Sequence, residues 1–364
     1  MSSTTFKGVV ANFLLFSVSF LIIYCVAEII VRSYFKDDAS LFPRYHTDAR
    51  YGDYTLRSLR PNSEFWYTSL DGTWKTTTNS KGLRNDREFS YVKPKDVVRV
   101  LTLGDSHTQG YEVRQGFTYS KIIEKQLKKK GVNAEVINTG VSGFSTAEEL
   151  LYLENEGYKY KPDYVVLGFF ANDYEDNLKS GLFKLNEDGS LSIEKYEHIP
   201  GVKIQNFIYA IPLVKWMSEN SYFYSLLFNK TWLVFKLLLA RAAANDAVEF
   251  AVPTNNVSSD YGSALTMSLI KRMSDFTKKR NIGLIIMDIP LMSEDGKFES
   301  SVSSRKDKQA MIENSDDFVA GYTLLEKYDG VAELHVPHGL KHISEFTHTM
   351  MGISAANKIH QLSQ

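Results

Sequence analysis

The amino-acid sequence predicts an α/β fold with a mostly parallel five-stranded sheet, a helical insertion and an N-terminal transmembrane helix. Three observations predict it. Short β-branched runs alternate with helical apolar spacings from Val97 onward, ~110 residues separate the third strand from the fourth, and Val9–Ala27 holds nineteen consecutive uncharged positions. At 364 residues the chain exceeds the ~150 of a typical domain, and its 43% apolar and 23% charged residues suffice for a sizeable core without disulfides or structural metal. Forty-two Lys and Arg against forty-three Asp and Glu leave a net charge of −1, so no global positive field points to a nucleic-acid partner. Cys25 stands alone and cannot form an internal disulfide, a CxxC pair or a cysteine zinc site. The chain divides into an anchor over 1–35, a lead-in with short strands over 36–95, and a main domain over 96–364 whose insertion covers about 180–260.

A helix of ~20 residues spans the ~30 Å hydrocarbon layer, whereas a cleavable signal peptide has an apolar region of about 7 to 15 residues. Val9–Ala27 therefore reads as an uncleaved, single-pass anchor, with Glu28 near enough to one end to reach the interface. Lys7 stands on one side and Arg32, Lys36 and Arg44 on the other. That count would keep the C-terminal part in the cytoplasm, although large folded domains translocate largely regardless of flanking charge.

Tyr54 to Thr78 alternates around the Asp71-Gly72 turn signal and reads as short antiparallel strands. Val97–Gly104 is the first strand of the main domain, and Tyr119, Ile122, Ile123 and Leu127 mark the helix after it. Ala134–Asn138 is the second strand, Thr146 and Glu149 form a capping box opening the next helix, and Tyr164–Phe169 is the third strand. Leu265, Leu269, Met273 and Phe276 line a helix before the fourth strand, Gly283–Met287; Val331–Val336 is the fifth, and Ile353–Leu362 closes as a helix. Lys128–Lys130 and Lys278–Arg280 fall at helix C-termini, where cations complement the macrodipole.

Parallel sheets carry their sites at the carboxyl ends of the strands. There stand Gly104-Asp105-Ser106-His107-Thr108, Asn138-Thr139-Gly140-Val141-Ser142-Gly143, and Ala171-Asn172-Asp173. Acyl transfer needs a hydroxyl nucleophile, a base, and donors aimed at the oxygen that becomes negative. Ser106 is the candidate nucleophile, and the start of the following helix favours a developing anion. The N–H of Ser106, the N–H of Gly143 and the amide of Asn172 make a three-donor oxyanion hole, each donor worth roughly 3 to 4 kcal/mol. Three histidines follow the last strand: His338, His342 and His348. Only His348 has a carboxylate three residues earlier, so Ser106, His348 and Glu345 form the expected triad, with His342 the runner-up base. His107 reads as a pocket or packing residue, and His335, inside the fifth strand, as structural. No metal or cofactor is needed.

These blocks resemble the SGNH/GDSL hydrolases over roughly Asn79 to Gln364. The first block of that family is similar to Gly104-Asp105-Ser106 with Gly110 following, the second to Asn138 through Thr146 with the oxyanion glycine at Gly143, and the third to Asn172-Asp173. The final block usually reads Asp-x-x-His; here Glu345-Phe346-Thr347-His348 stands in that place, with Glu for Asp. Asn79-Ser80-Lys81-Gly82-Leu83-Arg84 followed by GDSHTQG resembles the membrane-anchored bacterial branch, which commonly carries the hydrolase outside the cytoplasm. The resemblance implies a flavodoxin-like three-layer α/β/α sandwich and an extracytoplasmic catalytic domain. Thr108 stands where G-x-S-x-G needs its second glycine, which argues against the α/β-hydrolase fold.

The expected function is that of a membrane-anchored serine esterase or lipase-like hydrolase acting on a small-molecule, lipid or glycan acyl ester. Two alternatives remain: an O-acyltransferase passing the acyl group to an envelope polysaccharide, and an inactive binding or scaffold protein, motivated by the Glu345 departure. In the insertion, Phe207–Ala244 is dense in aromatics and leucines, but Lys215, Lys230 and Lys236 interrupt it before a second span. It reads as helices packing over the sheet and each other, or else as a lid or membrane-facing surface.

Overall fold

The computed structural model of the chain describes residues 3–242, 259–293, 297–339 and 342–364. The tail of the expected insertion, including Ala243 and Ala244, lies outside the described residues. In chain order the elements are α1 (Ser3–Tyr34), β1 (His46–Tyr51), β2 (Tyr54–Leu59), β3 (Glu64–Ser69), β4 (Gly72–Thr77), β5 (Val98–Gly104), α2 (Ser106–Gln109), α3 (Tyr119–Lys129), β6 (Ala134–Asn138), α4 (Thr146–Asn155), β7 (Tyr164–Phe169) and α5 (Asp173–Ser180). There follow β8 (Phe183–Leu185), β9 (Leu191–Ile193), β10 (Glu197–His198), α6 (Val202–Tyr209), α7 (Val214–Asn220), α8 (Tyr222–Ala242), α9 (Ser259–Lys278), β11 (Gly283–Asp288), β12 (Leu291–Met292), β13 (Phe298–Glu299), α10 (Arg305–Glu313), β14 (Asp317–Ala320), α11 (Gly321–Leu325) and α12 (Glu345–Leu362).

Strands β14, β11, β7, β5 and β6 lie side by side in that order, all parallel. Both faces are covered, as the three-layer reading requires. Along β5, Leu101 and Leu103 belong to the core under α4 and α9 with Leu150 and Leu269, while Val100 packs on the other face with Ile123 of α3 and Ile359 of α12. That alternation is the period of a strand, and each such buried aliphatic side chain contributes about 1.5 to 3 kcal/mol.

The fifth strand is not where hydropathy put it. Asp317–Ala320 pairs with β11, whereas 331–336 is irregular apart from a bridge between His335 and Ile343. A short edge strand needs few apolar residues, so its sequence signal is weak. The capping box before α4 also shifts by one residue. The N–H of Ser145 donates to the Glu148 carboxylate at 3.0 Å, while Glu149 is buried with neither carboxyl oxygen hydrogen-bonded.

The lead-in is two antiparallel hairpins, β1–β2 and β3–β4, the second turning at Asp71-Gly72 as its sequence indicates. The insertion joins this lead-in rather than covering the central sheet. β10 adds to β2, α6 packs on β1, α7 on β3, and the Arg60 guanidinium lies 3.8 Å from the Tyr209 ring centre. Lys7–Tyr34 is long and apolar enough to cross a membrane, and its apolar side chains are largely exposed. Its far end is docked on the insertion. Glu28 accepts from Ser221 Oγ at 2.7 Å and from the N–H groups of Tyr222 and Phe223 at 3.1 and 2.9 Å, so it caps α8 from a different helix.

Burial, and then the charges of Asp173 and Asp105, hold the Glu149 carboxyl well above the usual carboxylate range. A carboxyl whose folded value is raised binds more protons in the folded state, so its contribution is fully present below the unfolded value and is lost as pH rises toward the folded one. Glu149→Gln is therefore expected to raise stability by on the order of 2 kcal/mol at pH 8 and to change it little at pH 5, measured by urea unfolding at the two pH values.

Candidate functional site

The carboxyl ends of β5, β6 and β7 form one rim, and the three expected blocks leave it side by side. After β5 the chain turns at Gly104, where φ is +151° and a β-carbon would fall 1.7 Å from Thr108 Oγ1; only glycine fits. Asp105 caps α2 by accepting the His107 N–H at 2.8 Å, and Gly110 closes that helix in the left-handed region. Because α2 is a single turn, its dipole is small. The donors at Ser106 are individual N–H groups instead.

The loop after β6 is fastened from two sides. Gln109 Oε1 accepts from the N–H and Oγ of Ser142 at 2.7 and 2.8 Å, and Arg57 of β2 donates to the Ser142 carbonyl at 3.0 Å. Gly143 follows with φ +81°, a conformation that favours glycine, and a β-carbon there would lie 2.3 Å from Arg57 Nη1. The N–H groups of Ser106 and Gly143 have no acceptor among the described residues. Asn172 opens α5; its Nδ2 donates to Asp176 at 2.9 Å and its amide also bonds Asp105. Behind the rim, burial pushes the Asp105 carboxyl up to about 7, with the Asp176 charge adding to the rise.

The histidine beside Ser106 is His342. Its Nε2 lies 2.9 Å from Ser106 Oγ, and its Nδ1 lies 2.8 Å from the Gly339 carbonyl. A carbonyl only accepts, so Nδ1 carries the proton and Nε2 is left to accept from the serine hydroxyl. Burial pulls this imidazole down to about 4, which keeps it neutral at ordinary pH. His107 does pack, its ring 4.1 Å from Phe170 and 5.0 Å from His342, and burial holds it neutral too.

The expected Ser106–His348–Glu345 arrangement is corrected by this geometry. His348 Nδ1 accepts the N–H of Tyr119, the first residue of α3, at 3.1 Å, and its ring stacks on Tyr119. It satisfies an orphan helix N–H, and burial followed by the Arg84 charge pulls it down to about 3. Glu345 meets the Arg114 guanidinium, with Nε to Oε1 at 2.8 Å and Nη2 to Oε2 at 2.5 Å, and also accepts the Arg114 N–H. Both residues sit in the first turn of α12, where His348 faces α3 and Glu345 faces the loop after α2. His335 is buried, near the Pro290 carbonyl at 3.3 Å.

Two groups had no role assigned to them from the sequence. Arg84 is buried and donates to the carbonyls of Gln109, Gly110 and Val113, tying the lead-in to the loop after α2. Glu112, six residues beyond the serine, has Oε2 at 3.9 Å from His342 Nδ1, while Oε1 accepts from Tyr67 at 3.2 Å and Ser69 at 3.1 Å. Its neighbour in the fold, Gly339, stands three residues before His342, the spacing at which an acid is expected. Open space of about 420 Å³ adjoins Glu112, His335 and Glu345. A larger cleft of about 530 Å³, lined by Glu154, Arg272 and Asp275, contains none of the site residues.

Residues 100–202 match the family of GDSL-like Lipase/Acylhydrolase proteins. No curated protein matches the chain at the sequence level. Among solved structures, an acetylxylan esterase catalytic mutant from Geobacillus stearothermophilus is similar at 15% identity and TM-score 0.41, covering 74% of this chain and 96% of its own. A lipase/acylhydrolase from Enterococcus faecalis is similar at 14% and 0.40, covering 73% and 96%. A two-domain esterase active on acetylated mannans is similar at 11% and 0.40, covering 73% and 50%. Scores this low carry no functional argument of their own. The matched segment spans Ser106, Gly143 and Asn172, and the chain thus carries a GDSL-like lipase/acylhydrolase domain, that of an ester-hydrolysing enzyme.

Proposed function

We propose that the protein is a membrane-anchored serine esterase in which Ser106 is the nucleophile and His342 the base. The observation that carries this reading is the 2.9 Å contact between Ser106 Oγ and His342 Nε2, with Nδ1 already occupied by its proton. Ser106 Oγ attacks the ester carbonyl carbon as its proton passes to His342 Nε2, and the carbonyl π electrons move to oxygen. The negative oxygen is met by the N–H groups of Ser106 and Gly143, and by Asn172 once one amide hydrogen leaves Asp105, the other being held by Asp176. Collapse breaks the bond to the alcohol oxygen, which takes the proton from Nε2; water then enters by the same steps and releases the acid.

His348 and Glu345 serve the frame of the site in this reading, the first by capping α3 and the second by holding the loop after α2. The apolar helix Lys7–Tyr34 is the anchor, and the resemblance of Asn79–Arg84 with GDSHTQG to the membrane-anchored branch supports a catalytic domain outside the cytoplasm. Glu28 supports the anchored arrangement, because its carboxylate is spent on the start of α8 rather than left in hydrocarbon.

Ser106→Ala and His342→Ala are each expected to lower kcat at least ~10³-fold on a chromogenic acyl ester and to abolish or slow labelling by a fluorophosphonate probe. His348→Gln should retain most turnover; equal losses in His342→Ala and His348→Gln would count against the assignment. The acid limb of the kcat/KM profile follows from the same imidazole. His342 is a working base only while neutral, so activity should persist to mildly acidic pH and fall as pH drops through about 4.

A further inference from the structure

A base that accepts a proton in a buried pocket becomes a cation there, and something must face that charge. The main chain supplies only part of the answer, since the Gly339 carbonyl orients Nδ1 but carries no formal charge. We propose, resting on the Ser106–His342 reading, that Glu112 is the acid of this site: it faces His342 from the loop after α2 and fills the place of a carboxylate at position 339.

Four observations carry the assignment. Glu112 Oε2 is 3.9 Å from His342 Nδ1 with both side chains nearly buried, and this oxygen has no hydrogen-bond partner. The other oxygen is fixed by Tyr67 and Ser69 of β3, so the carboxylate is held with its free oxygen toward the imidazole. At Gly339 a β-carbon would come within 1.7 Å of Glu112 Oε2. The glutamate occupies the volume that a side chain three residues before His342 would need, and either position can supply an acid but not both. Finally, the backbone of Glu112 has φ +57°, a conformation that a residue with a β-carbon rarely adopts and that glycine would adopt without strain. A non-glycine residue kept in such a conformation beside a reacting group is typical of a functional constraint.

The surroundings are built to keep this loop in position. Asp71, at the β3–β4 turn, accepts from the His338 N–H at 3.0 Å and lies 2.8 Å from its Nδ1, clasping the histidine segment to the same hairpin that holds Glu112. The paired Arg114 and Glu345 fasten the other end of the Glu112 loop to α12. The 3.9 Å separation suits a resting state, because the contact strengthens when Nδ1–H belongs to a cation and such hydrogen bonds tighten in the substrate complex. Glu112 touches neither substrate nor reacting atoms and acts through His342, as a positioning residue.

The test compares the full-length protein in detergent with three variants: Glu112→Gln, Glu112→Gly, which suits the backbone, and Glu112→Gly combined with Gly339→Asp. Turnover of p-nitrophenyl acetate gives kcat and KM, and thermal unfolding monitors the fold. Each single variant is expected to lose kcat on the order of 100-fold with KM little changed, Glu112→Gly unfolding no earlier than wild type, and the double variant to regain at least about tenfold. Wild-type kcat in both single variants, a loss confined to KM, or a loss that Gly339→Asp does not recover would each overturn the assignment. Ser106→Ala measured alongside separates the two readings, since turnover persisting there sinks the serine esterase itself.

Discussion

An imidazole can take a proton at one nitrogen only if the other already holds one in place, and here that condition rests on the carbonyl of Gly339. It accepts both the main-chain N–H and the Nδ1–H of His342, at 2.8 Å each. The tautomer and the ring direction are thus set by backbone, and Nε2 is left pointing at Ser106. Everything else around the rim can be understood as holding this turn and the serine turn at a fixed separation.

Much of that holding comes from buried polar side chains of the lead-in. Arg57 and Arg84 reach across from β2 and from the segment after β4 to loop carbonyls, and Asn85 donates to the Asn138 carbonyl at 3.0 Å. Guanidinium groups suit this task because several donors in one plane can satisfy several carbonyls at once. Burial of such charge is costly, and the cost is visible in Arg84, whose guanidinium is pulled down to about 10. The stability spent here gives the rim its shape. The same reasoning applies to the carboxyl groups of Asp105, Glu149 and Asp173 beneath it, which burial drives toward their neutral forms.

The N-terminal helix is bound to this scaffold rather than merely tethered. Glu28 joins the start of α8, Tyr24 contacts Ser221 at 2.6 Å, and Val31 packs with Leu41 and Tyr222. A helix docked through a carboxylate cap and an apolar cluster transmits its orientation to the domain. The insertion is the intermediary, since it contacts α1 on one side and the lead-in hairpins on the other.

The sequence by itself determined the α/β architecture, four of the five strands, the apolar N-terminal helix and the three blocks at the rim. Local information suffices for these: strand and helix periodicities are written in neighbouring residues, and a serine or asparagine directly after a buried strand emerges at its carboxyl end. It did not determine which histidine meets Ser106. His342 and His348 are separated by six positions, and the spacing of Glu345 favours the second, yet α12 turns that ring into α3. Glu112 was invisible for the same reason. Its relation to His342 crosses 230 residues of chain and depends on the missing side chain at Gly339. Only packing in three dimensions decides which polar group fills a space that another residue leaves empty.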